Sequence, residues 1–261
     1  MKIAVSGKGG TGKTTLASML AHCFRENGFN ILAVDADPDA NLAEAIGVPP
    51  EVRAKIKPIS EERRMIRQRT GAIPGQLGQL FKLNPPVSDI PDSYGIDFLG
   101  IKILVMGAVQ KGGQGCACPE NVFLKNLLSE IILHRGEAVI VDMEAGIEHM
   151  GRATALHIDK MLICVEPGSR SIETARAIMK MGEDIGLKDF GIIGNKIRNN
   201  IQEDWIRKHF EGEIFMGCIP YSDTIQESDI GQNSLHEALD SELADAFWSI
   251  YRKIRQSIKT L

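Results

Sequence analysis

No stretch of about 18 apolar residues runs through this 261-residue chain, so it offers no candidate for a membrane-spanning helix. An apolar signal region with a small-residue cleavage site is equally missing ahead of the opening Lys2-Ile3-Ala4-Val5, and the expected location is the cytoplasm. There is no excess of positive charge. The formal net charge is −4, which makes nucleic acid a poor default partner. Cysteine is too sparse for a disulfide scaffold, with five in all. Cys23, Cys164 and Cys218 stand singly in apolar patterns and read as small core residues. Internal repeats and low-complexity tracts are also absent. What remains is ordinary globular composition, 43% hydrophobic and 25% charged, which speaks against disorder. The length suits one large α/β domain or two small ones.

Short apolar runs alternate with amphipathic stretches. The patterns predict strands at Lys2–Ser6, Ile31–Asp35, Ile96–Leu99, Ile101–Met106, Ala138–Asp142, Met161–Val165, Gly191–Asn195 and Ile214–Ile219. They predict helices at Lys13–Asn27, Pro119–Arg135, Ser171–Ile185, Gln202–Phe210 and His236–Ile258. Val139-Ile140-Val141 and Leu162-Ile163-Cys164-Val165 are apolar without alternation, as in strands covered on both faces. The expected fold is therefore α/β: one doubly wound, mostly parallel sheet spanning 1–261, with ligands at the carboxyl ends of its strands. The segment 48–94 does not fit this pattern. It has Pro-Pro at 49–50 and 85–86 and few apolar periods, and it is too long for a plain connection. It is expected to be an inserted irregular element, with Arg63, Arg64, Arg67 and Arg69 on a solvated helix face.

Gly7-Lys8-Gly9-Gly10-Thr11-Gly12-Lys13-Thr14 sits between a strand and a helix, the arrangement of a phosphate-binding P-loop. Glycines let backbone N–H groups turn toward phosphate oxygens, and the helix start adds its dipole. Lys13 is placed to reach the β- and γ-phosphates, and Thr14 to offer a hydroxyl to Mg²⁺. Asp35-Ala36-Asp37-Pro38 ends the second strand, where a carboxylate can order a water or hold the metal's water shell. Asn41 closes the same segment. Val139-Ile140-Val141-Asp142 is an apolar strand ending in aspartate, the Walker B form, and Asp142 is expected to hold Mg²⁺ through water. Gly146 leaves the following backbone free to move.

The run Lys8-Gly9-Gly10-Thr11-Gly12-Lys13-Thr14-Thr15 resembles the deviant Walker A motif of the MinD/ParA/nitrogenase-iron-protein ATPases. The resemblance implies that Gly9 to Thr15 bind ATP or ADP, and that Lys8 reaches across a homodimer to the partner's nucleotide. It further implies that Asp37 positions the attacking water. By the same resemblance Asn195, Pro220 and Tyr221 flank adenine. An Asn-Lys-x-Asp pattern would instead favour guanine, but position 198 is arginine. The family's usual Asp-x-Pro-Ala-Gly reads Asp142-Met143-Glu144-Ala145-Gly146 here, a departure that argues against an ordinary chromosome- or plasmid-partitioning ATPase.

Gly115-Cys116-Ala117-Cys118-Pro119 precedes a helical pattern, with Pro119 suited to the first helical position. A helix start favours thiolate at Cys118, and thiolate is the form a metal needs. One chain supplies two sulfurs and a closed tetrahedral site needs four, so a dimer would complete it. Zn²⁺ suits that geometry, whereas Ni²⁺ prefers a square plane. Without a metal the two thiols are simply packed or exposed in a loop.

The Cys pair, the Asp142-to-His149 segment and Phe81-Lys82-Leu83-Asn84-Pro85 together resemble one branch of the family, the CooC-type accessory ATPases of carbon monoxide dehydrogenase. That resemblance spans essentially the whole chain. It implies ATP-dependent delivery of nickel by a homodimer to the apo-enzyme; no stable membrane anchoring is expected. Three other readings stay open: service to acetyl-CoA synthase, a MinD/ParA-like positioning ATPase, and an Fe–S cluster carrier. The positioning reading draws on Leu243, Ala246, Phe247, Ile250, Tyr251 and Ile254 with Arg252, Lys253 and Arg255, a basic amphipathic stretch whose plainer reading is a terminal helix docked on the sheet.

Overall fold

In a computed structural model the described residues are 1–73, 79–107, 119–144, 152–210, 215–231 and 234–259. In chain order the elements are β1 (Lys2–Gly7), α1 (Lys13–Glu26), β2 (Ile31–Ala36), α2 (Leu42–Ile46), α3 (Pro50–Arg53), α4 (Arg63–Thr70) and α5 (Ile90–Tyr94). Next come β3 (Ile96–Phe98), β4 (Ile101–Val105), α6 (Pro119–His134), β5 (Ala138–Met143), α7 (Arg152–Ala155), β6 (Lys160–Val165) and α8 (Ser169–Ile185). The chain continues with β7 (Phe190–Ile197), α9 (Asn200–His209), β8 (Phe215–Pro220), α10 (Asp223–Gly231), α11 (Leu235–Ala238) and α12 (Ser241–Lys259).

The strands form one eight-stranded sheet in the order β3-β4-β2-β5-β1-β6-β7-β8. Every pairing is parallel except β3 with β4 at the edge. Strand side chains alternate between faces, and here both faces are apolar. Val139 and Val141 of β5 enter the core beside α6 and α8, whereas Ala138 and Ile140 enter the core beside α1 and α12. The continuous apolar runs in the sequence come from this double burial.

One expectation changes. The predicted helix His236–Ile258 is two helices, α11 and α12, because Leu239 is extended and Asp240 starts a new helix. The Asp240 Oδ1 accepts the Leu243 N–H at 2.8 Å, an N-cap contact. The segment 48–94 carries α3, a 3-10 turn at Ile59–Glu61, α4 and α5, and it joins the main core through Ile59, Met65, Ile66, Val87 and Ile90. Arg63, Arg64 and Arg67 stay exposed on α4.

Leu243, Phe247, Ile250, Tyr251 and Ile254 of α12 are buried against the sheet and α1, so that apolar stripe is spent on the fold. Cys23 and Cys164 are buried and Cys218 is partly buried. Among the described residues no helix is long and apolar enough to cross a membrane.

Candidate functional site

The carboxyl ends of β1, β2 and β5 meet where the Gly-rich loop enters α1. The start of α1 is open. Gly12, its N-cap, is left-handed at φ +87°, no side chain caps the helix, and no acidic residue lies in its first turn. Free N–H groups and an unopposed dipole there suit a phosphate. The Thr11 Oγ1 and Thr11 N–H both donate to the Lys8 carbonyl, at 2.7 and 3.2 Å, closing a turn over 8–11. Lys8, Gly9 and Gly10 are exposed, and the Lys8 ammonium has no hydrogen bond or ion pair among the described residues. Lys13 is buried, with its ammonium 3.7 Å from Asp37 Oδ2. Thr15 lines the cavity beside the loop.

The Thr14 hydroxyl donates to Asp142 Oδ2 at 2.6 Å. Asp142 is fully buried, and its Oδ1 has no partner among the described residues. A hydroxyl and a carboxylate are hard oxygen donors of the kind Mg²⁺ takes, and the orphan oxygen leaves room for a metal-bound water, so these residues fit Mg²⁺. Burial pushes the Asp142 carboxyl up from 3.8 to about 6, partly offset by the Thr14 hydrogen bond and Lys13.

Asp35 stands beside Asp142 in register across β2 and β5. Its Oδ1 accepts the Asp37 N–H at 3.2 Å and its Oδ2 accepts the Leu42 N–H at 2.9 Å. Burial pushes this carboxyl up to about 7, and the two N–H bonds work against that rise. Asp35 is thus committed to shaping the 37–42 loop and starting α2, a role that Asn41, whose side chain caps nothing, does not take. Asp37 is the carboxylate left facing Lys13.

A cavity of about 460 Å³ opens beside the loop, lined by Gly12, Thr15, Asn195, Lys196, Pro220 and Tyr221 among others. Asn195 is buried and serves the loop: its Nδ2 donates to the Thr11 carbonyl at 2.7 Å. A side chain on Gly12 would meet that Nδ2 at 2.1 Å. Tyr221 hydrogen-bonds Asp223 through its hydroxyl and carries the Arg198 guanidinium over its ring at 3.6 Å. The residue that stands where a guanine-reading carboxylate would sit is therefore packed on an aromatic face.

Cys116 and Cys118 lie outside the described residues, as do Ala145, Gly146 and His149. Among the described residues no group of three or more His, Cys, Asp or Glu side chains is arranged for a metal. Sequence reasoning missed two features of the site, Asp35 as a loop anchor and Lys196 at the Gly10 carbonyl, and away from the site it missed a buried His22 stacked on His236 at 4.1 Å. The Asn195-Lys196 dipeptide was a visible signal for the second. The other two left none.

The family model for the CobQ/CobB/MinD/ParA nucleotide-binding domain matches residues 2–235. The carbon monoxide dehydrogenase accessory protein CooC of Rhodospirillum rubrum is 45% identical over 229 residues, covering 88% of this chain and 87% of that one. An ATP-binding protein of Methanocaldococcus jannaschii is 44% identical over 257 residues, covering 97% of each. Among solved structures, the septum site-determining protein MinD of Pyrococcus horikoshii, complexed with Mg-ADP, superimposes with a TM-score of 0.67 at 20% identity. That match covers 97% of this chain and 95% of that one, a likeness of fold. The chain belongs to the CobQ/CobB/MinD/ParA family of P-loop ATPases and, within it, stands with CooC.

Proposed function

We propose that the protein is a homodimeric ATPase that delivers nickel during maturation of carbon monoxide dehydrogenase. The observation that carries this reading is the likeness to CooC over 88% of the chain. The Cys116-x-Cys118 pair supplies a chemical reason for a metal cargo.

The nucleotide half follows from the loop. Gly9 to Thr15 hold the phosphates, and the base enters the cavity beside Asn195, Pro220 and Tyr221. Lys13 now faces Asp37, and phosphate oxygens would draw its ammonium away. That exchange frees the Asp37 carboxylate to orient the attacking water. Thr14 and Asp142 would hold Mg²⁺, which when bound supplies charge neutralisation at the β- and γ-phosphates. The exposed Lys8 crosses to the partner's γ-phosphate, so ATP ties two subunits together.

The cargo half depends on one connection. In the sequence Cys116 and Cys118 directly precede α6, whose Phe123, Leu127 and Ile131 share a core with Val139 and Val141 of β5. That strand carries Asp142. Closure of the dimer around ATP shifts these packed elements and with them the thiolates, and hydrolysis reverses the shift. Nickel is the substrate of this cycle.

The test is transfer into nickel-free carbon monoxide dehydrogenase, supplied with Ni²⁺, Mg·ATP and the protein, with acetyl-CoA synthase run in parallel. Activation should require hydrolysable ATP and fail with Lys13→Ala. Activation of acetyl-CoA synthase alone would reassign the client. Failure to activate either enzyme while ATP is hydrolysed would remove the nickel reading.

A further inference from the structure

We infer that Lys196 is a positioning residue for the phosphate loop, acting on the Gly10 carbonyl from β7. This rests on the reading of that loop as the nucleotide site.

In a regular strand Asn195 and Lys196 would point to opposite faces of the sheet. They do not. The pairing of β7 with β8 slips between Gly194 and Ile197, and Lys196 takes a left-handed backbone at φ +57°. A register slip of this kind re-aims a side chain, and a left-handed lysine persists only where its surroundings hold it. The surroundings are visible: the Asn195 Oδ1 accepts the Lys196 N–H at 2.8 Å, and the Ile197 carbonyl accepts the Tyr221 N–H at 2.9 Å. As a result both side chains reach the phosphate loop. The Lys196 Nζ donates to the Gly10 carbonyl at 2.8 Å and pairs with Glu166 Oε1 at 2.6 Å. Asn195 takes the next carbonyl, that of Thr11.

A peptide unit is planar, so fixing a carbonyl fixes the N–H on its far side. With the Gly10 carbonyl held by Lys196, the Thr11 N–H is turned back onto the Lys8 carbonyl, closing the turn that presents Lys8. With the Thr11 carbonyl held by Asn195, the Gly12 N–H is turned away from β7 at the open start of α1. Gly10 itself is left-handed at φ +80° with open space where a side chain would stand, and among the described residues Lys196 is the side chain that hydrogen-bonds it. Glu166, at the end of β6, keeps the ammonium from swinging into solvent. The pair is half-exposed, with side chains 48% and 34% accessible, so it contributes little to global folding. Its effect therefore falls on the loop.

The test is titration with Mg·ADP alongside thermal unfolding of the nucleotide-free protein. Lys196→Met should weaken Mg·ADP binding about tenfold while Tm stays within about 2 °C. Lys196→Arg, which keeps a cation able to reach both acceptors, should recover binding to within about threefold of the unaltered chain. Glu166→Gln should fall between the two and add nothing on top of Lys196→Met, as expected of residues acting through one contact. Mg·ADP binding by Lys196→Met within twofold of the unaltered protein would overturn the inference alone. Equal losses in the Met and Arg variants, tracking a fall in Tm, would overturn it in favour of a scaffold role. An unaltered chain that bound neither ADP nor ATP would remove the site reading and this inference together.

Discussion

Thr14 and Asp142 lie 128 positions apart in the sequence, yet the Thr14 hydroxyl donates a 2.6 Å hydrogen bond to Asp142 Oδ2. The other carboxylate oxygen is buried without a partner among the described residues. Burial opposes the charge of this carboxylate more than the Thr14 hydrogen bond and Lys13 favour it. Between about pH 4 and 6 the folded chain holds a proton that the unfolded chain has released, so this residue's contribution to stability falls as pH rises through that window. Above it, a neutral isostere should help. Asp142→Asn is expected to raise the stability of the nucleotide-free protein at pH 7.5 by about 2 kcal/mol while lowering Mg²⁺-dependent ATP hydrolysis at least about 100-fold. Urea unfolding and a phosphate-release assay measure the two effects. A variant that is less stable and still Mg²⁺-dependent would show that the site has been misread.

Two neighbouring glycines should behave differently. Gly12 is left-handed, and a methyl group there meets Asn195. Gly12→Ala is expected to destabilise the nucleotide-free protein by about 2–3 kcal/mol, combining the backbone cost with loss of the Asn195 contact to the Thr11 carbonyl. Gly9 lacks a left-handed φ and has open space around it. Gly9→Ala should change stability by less than about 0.5 kcal/mol. Equal effects at both positions would contradict the geometry of the loop.

His22 carries a pH dependence of opposite sign. Its Nε2 faces the Ile46 carbonyl at 3.1 Å, its ring is stacked on His236, and Arg25 and Glu26 flank the pair. Burial, with the charge of His236 adding to it, pushes the imidazole down to about 4. The unfolded chain takes up this proton near pH 6.5 and the folded chain only near 4, so stability is lost as pH falls through that interval. Between pH 7.5 and 5 the loss is about 2 kcal/mol. His22→Gln should remove that share of the slope, read as the difference in urea-unfolding free energy between the two pH values. An unchanged slope would place the acid sensitivity elsewhere.

The sequence revealed what depends on periodicity and local motif. The double burial of β5 shows as an unbroken apolar run, and the phosphate loop shows because glycine spacing, strand and helix coincide. The break before α12 was also written locally, in Asp240 three residues ahead of Leu243, but the apolar rhythm across 236–258 hid it. Asp35 and Lys196 were harder for a different reason. The role of Asp35 comes from the Leu42 N–H folding back onto it, and the reach of Lys196 comes from a register slip between β7 and β8. The Asn195-Lys196 dipeptide marked the place of the second, but the slip that aims its side chain is not a property of a short window of residues. The irregular look of 48–94 reflects short helices whose apolar residues are too few to show a period, although Ile59, Met65, Ile66 and Ile90 are buried.

The central claim, that nucleotide state governs a nickel site built from two chains, is tested most directly by metal content and molecular mass. The protein would be equilibrated with Ni²⁺ under reducing conditions, without nucleotide, with ADP and with ATP, and passed through size exclusion with light scattering and elemental analysis. The account predicts a dimer holding one nickel, with occupancy that changes between the nucleotide states and is lost in the Cys116→Ser/Cys118→Ser double variant, which still hydrolyses ATP. Nickel content that is the same in that variant, or the same in every nucleotide state, would contradict it.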